Sequence, residues 1–306
     1  IASSPQGTNS ETLAKGPTRL EPANCMYRLC KMRCFLWVLL SVVHLSCSTA
    51  VVADDLTYLA AAEVGELLPT STSASVSAAA HAQVYCGTLG ADGLWPDLQA
   101  SGAYNTSDQR VEWPAFAHVS RAKALALAAA DVHGPQHANA TLLEGADRAL
   151  RAWAQLDLVN ANWWQNQIGT PMAMADTLML MQHAGYDAGA LGSLVALCND
   201  CRTCVNQAHA GAMTGANLVW LTRIAMHNAL LHGNGTSVGT CLDLIYGAAR
   251  YEPRAGDGIM VDGSFHQHGP QLLSGSYGAD FAGDLLLLAA HAAPTRWAMP
   301  ADKLAV

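Results

Sequence analysis

Residues 120–132 read Ser-Arg-Ala-Lys-Ala-Leu-Ala-Leu-Ala-Ala-Ala-Asp-Val. Alanine has no side-chain freedom to lose in a helix and leucine loses little, so a run built almost wholly of the two favours helix over strand. Its apolar residues also recur at helical spacing. Working outward, the same signature predicts helices over 54–68, 142–156, 171–184, 191–197, 217–231, 238–250 and 278–292. Long alternating β-branched runs, the mark of half-buried strands, are scarce. Residues 86–114, dense in Gly, Ser, Asp, Asn and Pro, read as one long irregular connection.

The helix ends carry their own signals. Thr170 is placed to cap and Pro171 to occupy a first helical turn, while Gly185, Gly233 and Gly247 follow or close periodic segments. Short helices joined by variable loops predict repeated helical hairpins, closed into a toroid or extended as a solenoid. The chain has no repeat of fixed period, which argues against regular solenoid arrays.

Of the 306 residues, 51% are hydrophobic and 13% charged, which is ample material for a large core and excludes disorder of the whole chain. A net charge of −8 repels polyanions, so bulk electrostatics do not recruit an acidic ligand and a local site must hold it. Basic blocks are confined to the first 35 positions, and nucleic acid is not an expected partner.

Arg28, Lys31 and Arg33 precede an apolar run from Cys34 to Cys47, followed by Ser48-Thr49-Ala50. That order predicts a secretory signal peptide; the run is short for a bilayer span, which leaves a membrane anchor as the weaker alternative. Met26 and Met32 are natural starts, so residues 1–25 read as an upstream extension. The expectation is a secreted monomer with no membrane contact after cleavage, made of residues 1–50 as extension and leader and 51–306 as the folded domain. Sequons at Asn105, Asn139 and Asn234 accord with secretion.

Beyond the leader stand Cys86, Cys198, Cys201, Cys204 and Cys241. The spacing of Cys198, Cys201 and Cys204 suits a metal, but no fourth ligand follows at a matching interval, so disulfides are expected, with one thiol left over. No metal and no cofactor are expected.

Three segments concentrate polar, aromatic and glycine residues at the boundaries of alanine-rich helices. They are Asn162-Trp163-Trp164-Gln165-Asn166-Gln167-Ile168-Gly169-Thr170-Pro171, Thr214-Gly215-Ala216-Asn217, and Asp262-Gly263-Ser264-Phe265-His266-Gln267-His268-Gly269-Pro270 continuing to Tyr277-Gly278. Adjacent tryptophans point to different sides of a helix, so Trp163 and Trp164 do not both enter one core. Trp153, Trp220 and Trp297 read as core, and His227 and His232 as structural or surface. Taken alone, Asn217 at a helix start is a helix cap, Tyr277 closes a loop, and Asp262, His266 and His268 form a metal set on an extended segment.

These three segments resemble the signature stretches of polysaccharide lyase family 8, the hyaluronate, chondroitin AC and xanthan lyases. The likeness runs from about residue 54 onward, and Gln167 with the Gln-His-Gly-Pro-Gln run is closest to the chondroitin AC type. The spacings of 51 (268 − 217) and 9 (277 − 268) resemble the family pattern; Leu218 departs from it, standing where a basic residue is common. The resemblance implies an all-α, incomplete (α/α) toroid, with the family's C-terminal β-sandwich domains absent from this chain and its catalytic arginine beyond position 306. It implies an acidic polysaccharide substrate, Asn217, His268 and Tyr277 as catalytic residues, and Trp163, Trp164, Asn162 and Gln167 as substrate-binding ones.

The chemistry of those residue types suits that role. Abstraction of the C5 proton of a uronate puts more charge beside a carboxylate that is already negative. The Asn217 amide and the His268 imidazole are donors that neutralise it, each such contact lowering the barrier by about 3 kcal/mol. Tyr277 serves as base toward C5 and acid toward O4; with a free phenol pKa of about 10, it needs a nearby cation or strong hydrogen bond. Two other readings stand beside this one: a noncatalytic carbohydrate-binding relic, and a glycoside hydrolase on a similar toroid, for which Asp176, Asp262 and Asp280 show no convincing pairing.

Overall fold

A computed structural model describes residues 55–105, 113–205, 213–252 and 256–306. The leader and upstream extension expected over 1–50 lie outside the described residues. Among those described, no helix is long and apolar enough to cross a membrane.

Ten helices and one short hairpin are described. The helices are α1 (Asp55–Leu67), α2 (Thr72–Thr88), α3 (Pro96–Ala100), α4 (Phe116–Ala130), α5 (Ala140–Leu156), α6 (Thr170–His183), α7 (Ala188–Cys198), α8 (Gly215–Leu231), α9 (Gly235–Gly247) and α10 (Tyr277–Ala292). Strands β1 (Gly258–Ile259) and β2 (Phe265–His266) pair antiparallel, Gly258 opposite His266 and Ile259 opposite Phe265. Phe265 packs on Phe281 at 5.0 Å between ring centres, which seats the hairpin on α10.

Packing separates an inner row from an outer one. Helices α2, α4, α6, α8 and α10 each contact the next in that order, α5, α7 and α9 fold back on α4, α6 and α8, and α1 contacts α6, α8 and α10. The sequence accounts for this division. In α6, Thr-Pro-Met-Ala-Met-Ala-Asp-Thr-Leu-Met-Leu-Met-Gln-His, every residue from Thr170 to Met181 except Met172 is buried, as expected of a helix apolar on all sides. In α5, by contrast, Leu142, Leu143, Ala146, Ala149, Leu150 and Trp153 form one buried stripe, the pattern of an outer helix with one face in water.

Several helix starts lie earlier than periodicity alone suggests, because an asparagine or aspartate caps them. Asn139 Oδ1 accepts the Thr141 N–H, Asn234 Oδ1 the Ser237 N–H, and Asp187 Oδ1 the Ala190 N–H, so α5, α9 and α7 begin a turn before their first apolar repeat. The helix α2 was not expected at all. Its Thr-Ser-Ala-Ser-Val-Ser-Ala-Ala-Ala segment has no clear apolar stripe, and it forms because Ser71 caps it and α4 supplies a wall. It extends to Thr88, and α3 with a 3-10 turn at Ala103–Asn105 follows, so the connection expected over 86–114 is partly helical.

Thr170 does not cap α6. The chain enters from a π-helical turn over Gln165–Gly169, with the Thr170 N–H donating to the Gln165 carbonyl, and the Thr170 hydroxyl is buried without a partner. Gly185 and Gly233 follow α6 and α8 in the left-handed region, as expected, whereas Gly247 is the last residue of α9 and makes no such turn.

The cysteines depart from expectation. Among the described residues, Cys201 and Cys204 form a disulfide, and the thiols of Cys86, Cys198 and Cys241 are free, where one was expected. Trp153 is fully buried, its indole N–H donating to Thr203 at 3.1 Å, and Trp297 packs against the core, both as expected.

Candidate functional site

The site begins at the N-terminus of α8. An α-helix leaves its first amide hydrogens without internal partners, and here a side chain from a distant segment takes one: Gln267 Oε1 accepts the Ala216 N–H at 3.1 Å. The helix opens with Gly215 at φ +58°, and a β-carbon there would lie 2.1 Å from Gln267 Oε1. Glycine is therefore required twice, for its backbone conformation and for the approach of the amide. Asn217 falls inside the first turn and is no cap, since Thr214 holds that position. Asn217 is only 6% exposed, and its Oδ1 is buried without a hydrogen-bond partner among the described residues.

Asp257 completes a clamp between α8 and the segment carrying His268. Its Oδ2 accepts from Thr214 Oγ1 at 2.9 Å and from Gln267 Nε2 at 2.6 Å, and its Oδ1 accepts the Gly269 N–H at 2.8 Å. His268 thus sits between two residues fixed to one carboxylate. It is held at φ +60°, a left-handed conformation that costs a non-glycine residue roughly 1–2 kcal/mol, and its side chain is exposed. The extended segment expected to align Asp262, His266 and His268 is broken by that turn. Asp262 accepts from Ser264 instead, and among the described residues no group of three His, Cys, Asp or Glu side chains is placed to hold a metal.

The His268 ring meets Tyr277, the first residue of α10, edge to face at 5.1 Å. From Tyr277 an aromatic row continues to Trp220 at 5.8 Å and from Trp220 to Trp164 at 6.2 Å. Trp163 and Trp164 do part: Trp163 is 39% exposed, while Trp164 packs against the core. Asn162 Oδ1 accepts the Trp164 N–H at 3.1 Å and so starts the turn that presents both rings. Gly169 makes room for Trp164, since a β-carbon there would lie 2.6 Å from its ring. Gln167 lies half-buried in the π-helical turn. The structure therefore links His268, Tyr277 and Trp164 by ring contacts, and ties Asn217 to them through its helix and Gln267.

Sequence reasoning missed Asp257. Trp220 packs against the core, as expected, but is only half-buried and also stands between Trp164 and Tyr277; its spacing of three from Asn217, which puts both on one helix face, was the available signal. Asp257 carried none.

Beneath the aromatic row runs a buried ionic chain. Trp220 Nε1–H donates to Asp284 Oδ2 at 2.9 Å, and Arg223 bridges Asp284 at 3.4 Å and Glu63 at 3.0 Å. Glu63, fully buried, also meets His227 at 2.9 Å and His291 at 2.5 Å, and His227 reaches Asp176, which Lys123 holds at 2.6 Å. Burial works against the charge on Asp176, but His227 and Lys123 outweigh it and hold the carboxyl down to about 2. Burial likewise opposes ionisation of Glu63, yet His227, His291 and Arg223 keep it well below the carboxylate range. For His227, burial favours the neutral ring, but its bonds to Asp176 and Glu63 prevail and raise its pKa. His227 is thus structural, as expected, and Asp176 is committed to the core, which removes it from any hydrolytic carboxylate pair.

Fold and site together define an all-α, incomplete (α/α) toroid of helical hairpins that gathers polar and aromatic side chains at the starts of its inner helices. The profile of polysaccharide lyase family 8, N terminal alpha-helical domain, matches residues 67–306, and the chain belongs to that family. It is 29% identical over 225 residues to the chondroitinase-AC of Pedobacter heparinus, covering 72% of this chain and 30% of that one. To the xanthan lyase of Bacillus sp. (strain GL1) it is 27% identical over 194 residues, 61% of this chain and 19% of the relative. Among solved structures, a chondroitinase AC lyase studied as enzyme–oligosaccharide complexes matches with a TM-score of 0.70 at 24% identity, over 82% of this chain and 35% of that one. A Paenibacillus xanthan lyase matches with a TM-score of 0.64 at 22% identity, over 83% and 24%. The chain thus spans about a third or less of the length of these proteins.

Proposed function

We propose that this chain is the helical part of a secreted polysaccharide lyase that cleaves uronate-containing, chondroitin- or hyaluronan-like chains by β-elimination. The observation that carries the reading is the His268–Tyr277 ring contact on a loop that Gln267 and Asp257 fasten to the helix of Asn217. Family membership and the names of the relatives support it.

The roles follow from the groups. The Asn217 amide and the exposed His268 imidazole bind the uronate carboxylate and stabilise the charge that develops when C5 loses its proton, at about 3 kcal/mol per contact. The Tyr277 oxygen, ionised to the phenolate with the help of a cation or strong hydrogen bond in the assembled site, takes that proton. The C5–H electron pair becomes the C4–C5 double bond, the C4–O4 bond breaks, and the same proton passes to O4 of the leaving sugar. Trp163 offers an exposed flat face to pyranose C–H groups and sets the register of the polymer.

The test is incubation of the whole secreted protein, this chain together with any further segment its gene encodes, with chondroitin, chondroitin sulfate and hyaluronan, following the ultraviolet absorbance of the new double bond. Absorbance that appears with the native chain and is lost in Tyr277→Phe supports the reading. Cleavage to saturated ends, or binding with no cleavage, sinks it. Secretion is checked separately by N-terminal sequencing of protein from the medium, with the mature chain expected to begin after Ala50.

A further inference from the structure

A base on Tyr277 acts only if its ring is held in place. We infer that Trp220, pinned by Asp284, is a positioning residue for Tyr277: the indole is the part that carries the geometry of α8 to the ring on α10. The inference rests on Tyr277 being the base of the proposed elimination.

Three observations lead to it. Trp220 follows Asn217 by three residues on α8, and Asp284 follows Tyr277 by seven on α10, so each pair shares one helix face. The Trp220 indole lies 5.8 Å from the Tyr277 ring at 42° and 6.2 Å from the Trp164 ring at 86°, so it touches the base on one side and, on the other, the core-packed neighbour of the exposed Trp163. Its N–H is fixed at 2.9 Å to Asp284 Oδ2, and Asp284 is itself paired with Arg223, which is anchored on Glu63. A packed indole N–H is satisfied by any acceptor, as the Thr203 hydroxyl satisfies that of Trp153; that of Trp220 takes a carboxylate on a different inner helix. Here the bond crosses from α8 to α10 and sets how the two helices lie along each other, which in turn sets where the Tyr277 oxygen stands relative to the Asn217 amide.

The test uses the full chain carrying fluorine-labelled tyrosine, with the Tyr277 resonance assigned by its loss in Tyr277→Phe, alongside steady-state elimination kinetics. Trp220→Ala and Asp284→Ala should each move and broaden that resonance. Each should lower kcat by ten-fold or more with KM changed less than two-fold, because the polymer-binding surface remains. Asp284→Asn, which keeps an oxygen to accept the indole N–H, should recover most of the loss, and the double variant Trp220→Phe/Asp284→Ala should be no worse than Asp284→Ala alone. A Tyr277 resonance unchanged in Asp284→Ala and Trp220→Ala overturns the inference, whatever the kinetics. A shifted resonance in a chain that eliminates no uronate polymer keeps the positioning and overturns the base role of Tyr277.

Discussion

Replacing Gly215 with alanine tests the clamp that orders the site. The new β-carbon meets Gln267 Oε1 at 2.1 Å and its Cδ at 2.9 Å, at a backbone φ of +58°. The backbone conformation alone costs an alanine roughly 1–2 kcal/mol. The Gln267 amide must also swing away, giving up its bond to the Ala216 N–H at 3.1 Å and to Asp257 at 2.6 Å. A neutral hydrogen bond contributes about 1 kcal/mol and one to a charged group about 1.5–3, so with the backbone strain the whole loss is about 3.5–6 kcal/mol. For a domain of this size that lowers Tm by on the order of 10 °C. In a Gln267→Ala background the obstacle is gone, and Gly215→Ala should cost only the roughly 1–2 kcal/mol of backbone strain. Thermal and urea unfolding of the four chains therefore yield a coupling of about 2.5–4 kcal/mol between the two positions. Under the proposed mechanism, kcat of Gly215→Ala falls on the order of 10²-fold as His268 is displaced. An equal cost of Gly215→Ala in both backgrounds would refute the clamp.

Stability should peak near pH 6.5, because two buried histidines shift in opposite directions. Burial depresses His118 to about 4, so its neutral ring, set between the Tyr104 hydroxyl and the Ala149 carbonyl, loses stability as pH falls below the ordinary imidazole value toward its folded one. That loss reaches about 3 kcal/mol. His227 is raised, so the stability it contributes is complete below the ordinary value and is lost as pH climbs through its folded pKa. Urea unfolding across pH 4–9 should show both limbs, with His118→Gln flattening the acid one and His227→Gln the alkaline one. Alkylation of the folded, unreduced chain should label Cys86 first; burial pushes Cys198 up to about 12 and Cys241 up to about 11, so mass spectrometry should find both unmodified until the chain unfolds. Trp163→Ala should raise KM for polymer several-fold with stability within about 0.5 kcal/mol of the native chain, while Trp164→Ala should destabilise by about 2 kcal/mol or more, as measured by unfolding.

What the sequence made legible was whatever a single segment decides. Helices α4, α5, α6, α8 and α10 could be read because an apolar stripe or an alanine-rich run is local information. The polar motifs stood out because they concentrate polar, aromatic and glycine residues where alanine-rich periodicity breaks off. Helix α2 was illegible because its serines carry no stripe, and its stability comes from Ser71 and from the wall of α4. Asp257 was illegible for a deeper reason. One aspartate in a loop is ordinary, and its role exists only once residues 214, 267 and 269 converge on it. The cysteines show the same limit: the spacing of Cys198, Cys201 and Cys204 offered three pairings, and only the turn between α7 and the following segment selects Cys201 with Cys204.

The buried ionic chain poses the remaining physical question, since ion pairs out of water gain little net stability over well-packed apolar residues. Its placement suggests what it gains instead. Lys123, Asp176, His227, Arg223, Glu63 and Asp284 come from α4, α6, α8, α1 and α10, all helices of the inner packing. Alanine-rich surfaces are nearly smooth, so two such helices can slide or rotate past one another at small loss of contact area. A hydrogen-bonded ion pair cannot, because displacement by one residue leaves a bare charge in a dry interior at a cost of about 3–5 kcal/mol. One residue of rotation in an α-helix is about 100°, which would carry Asn217 or Tyr277 off the face they share with Trp220 and Asp284. A toroid made of interchangeable alanine faces thus needs a few charged contacts to select one register, and in this chain those contacts end at the indole that touches Tyr277.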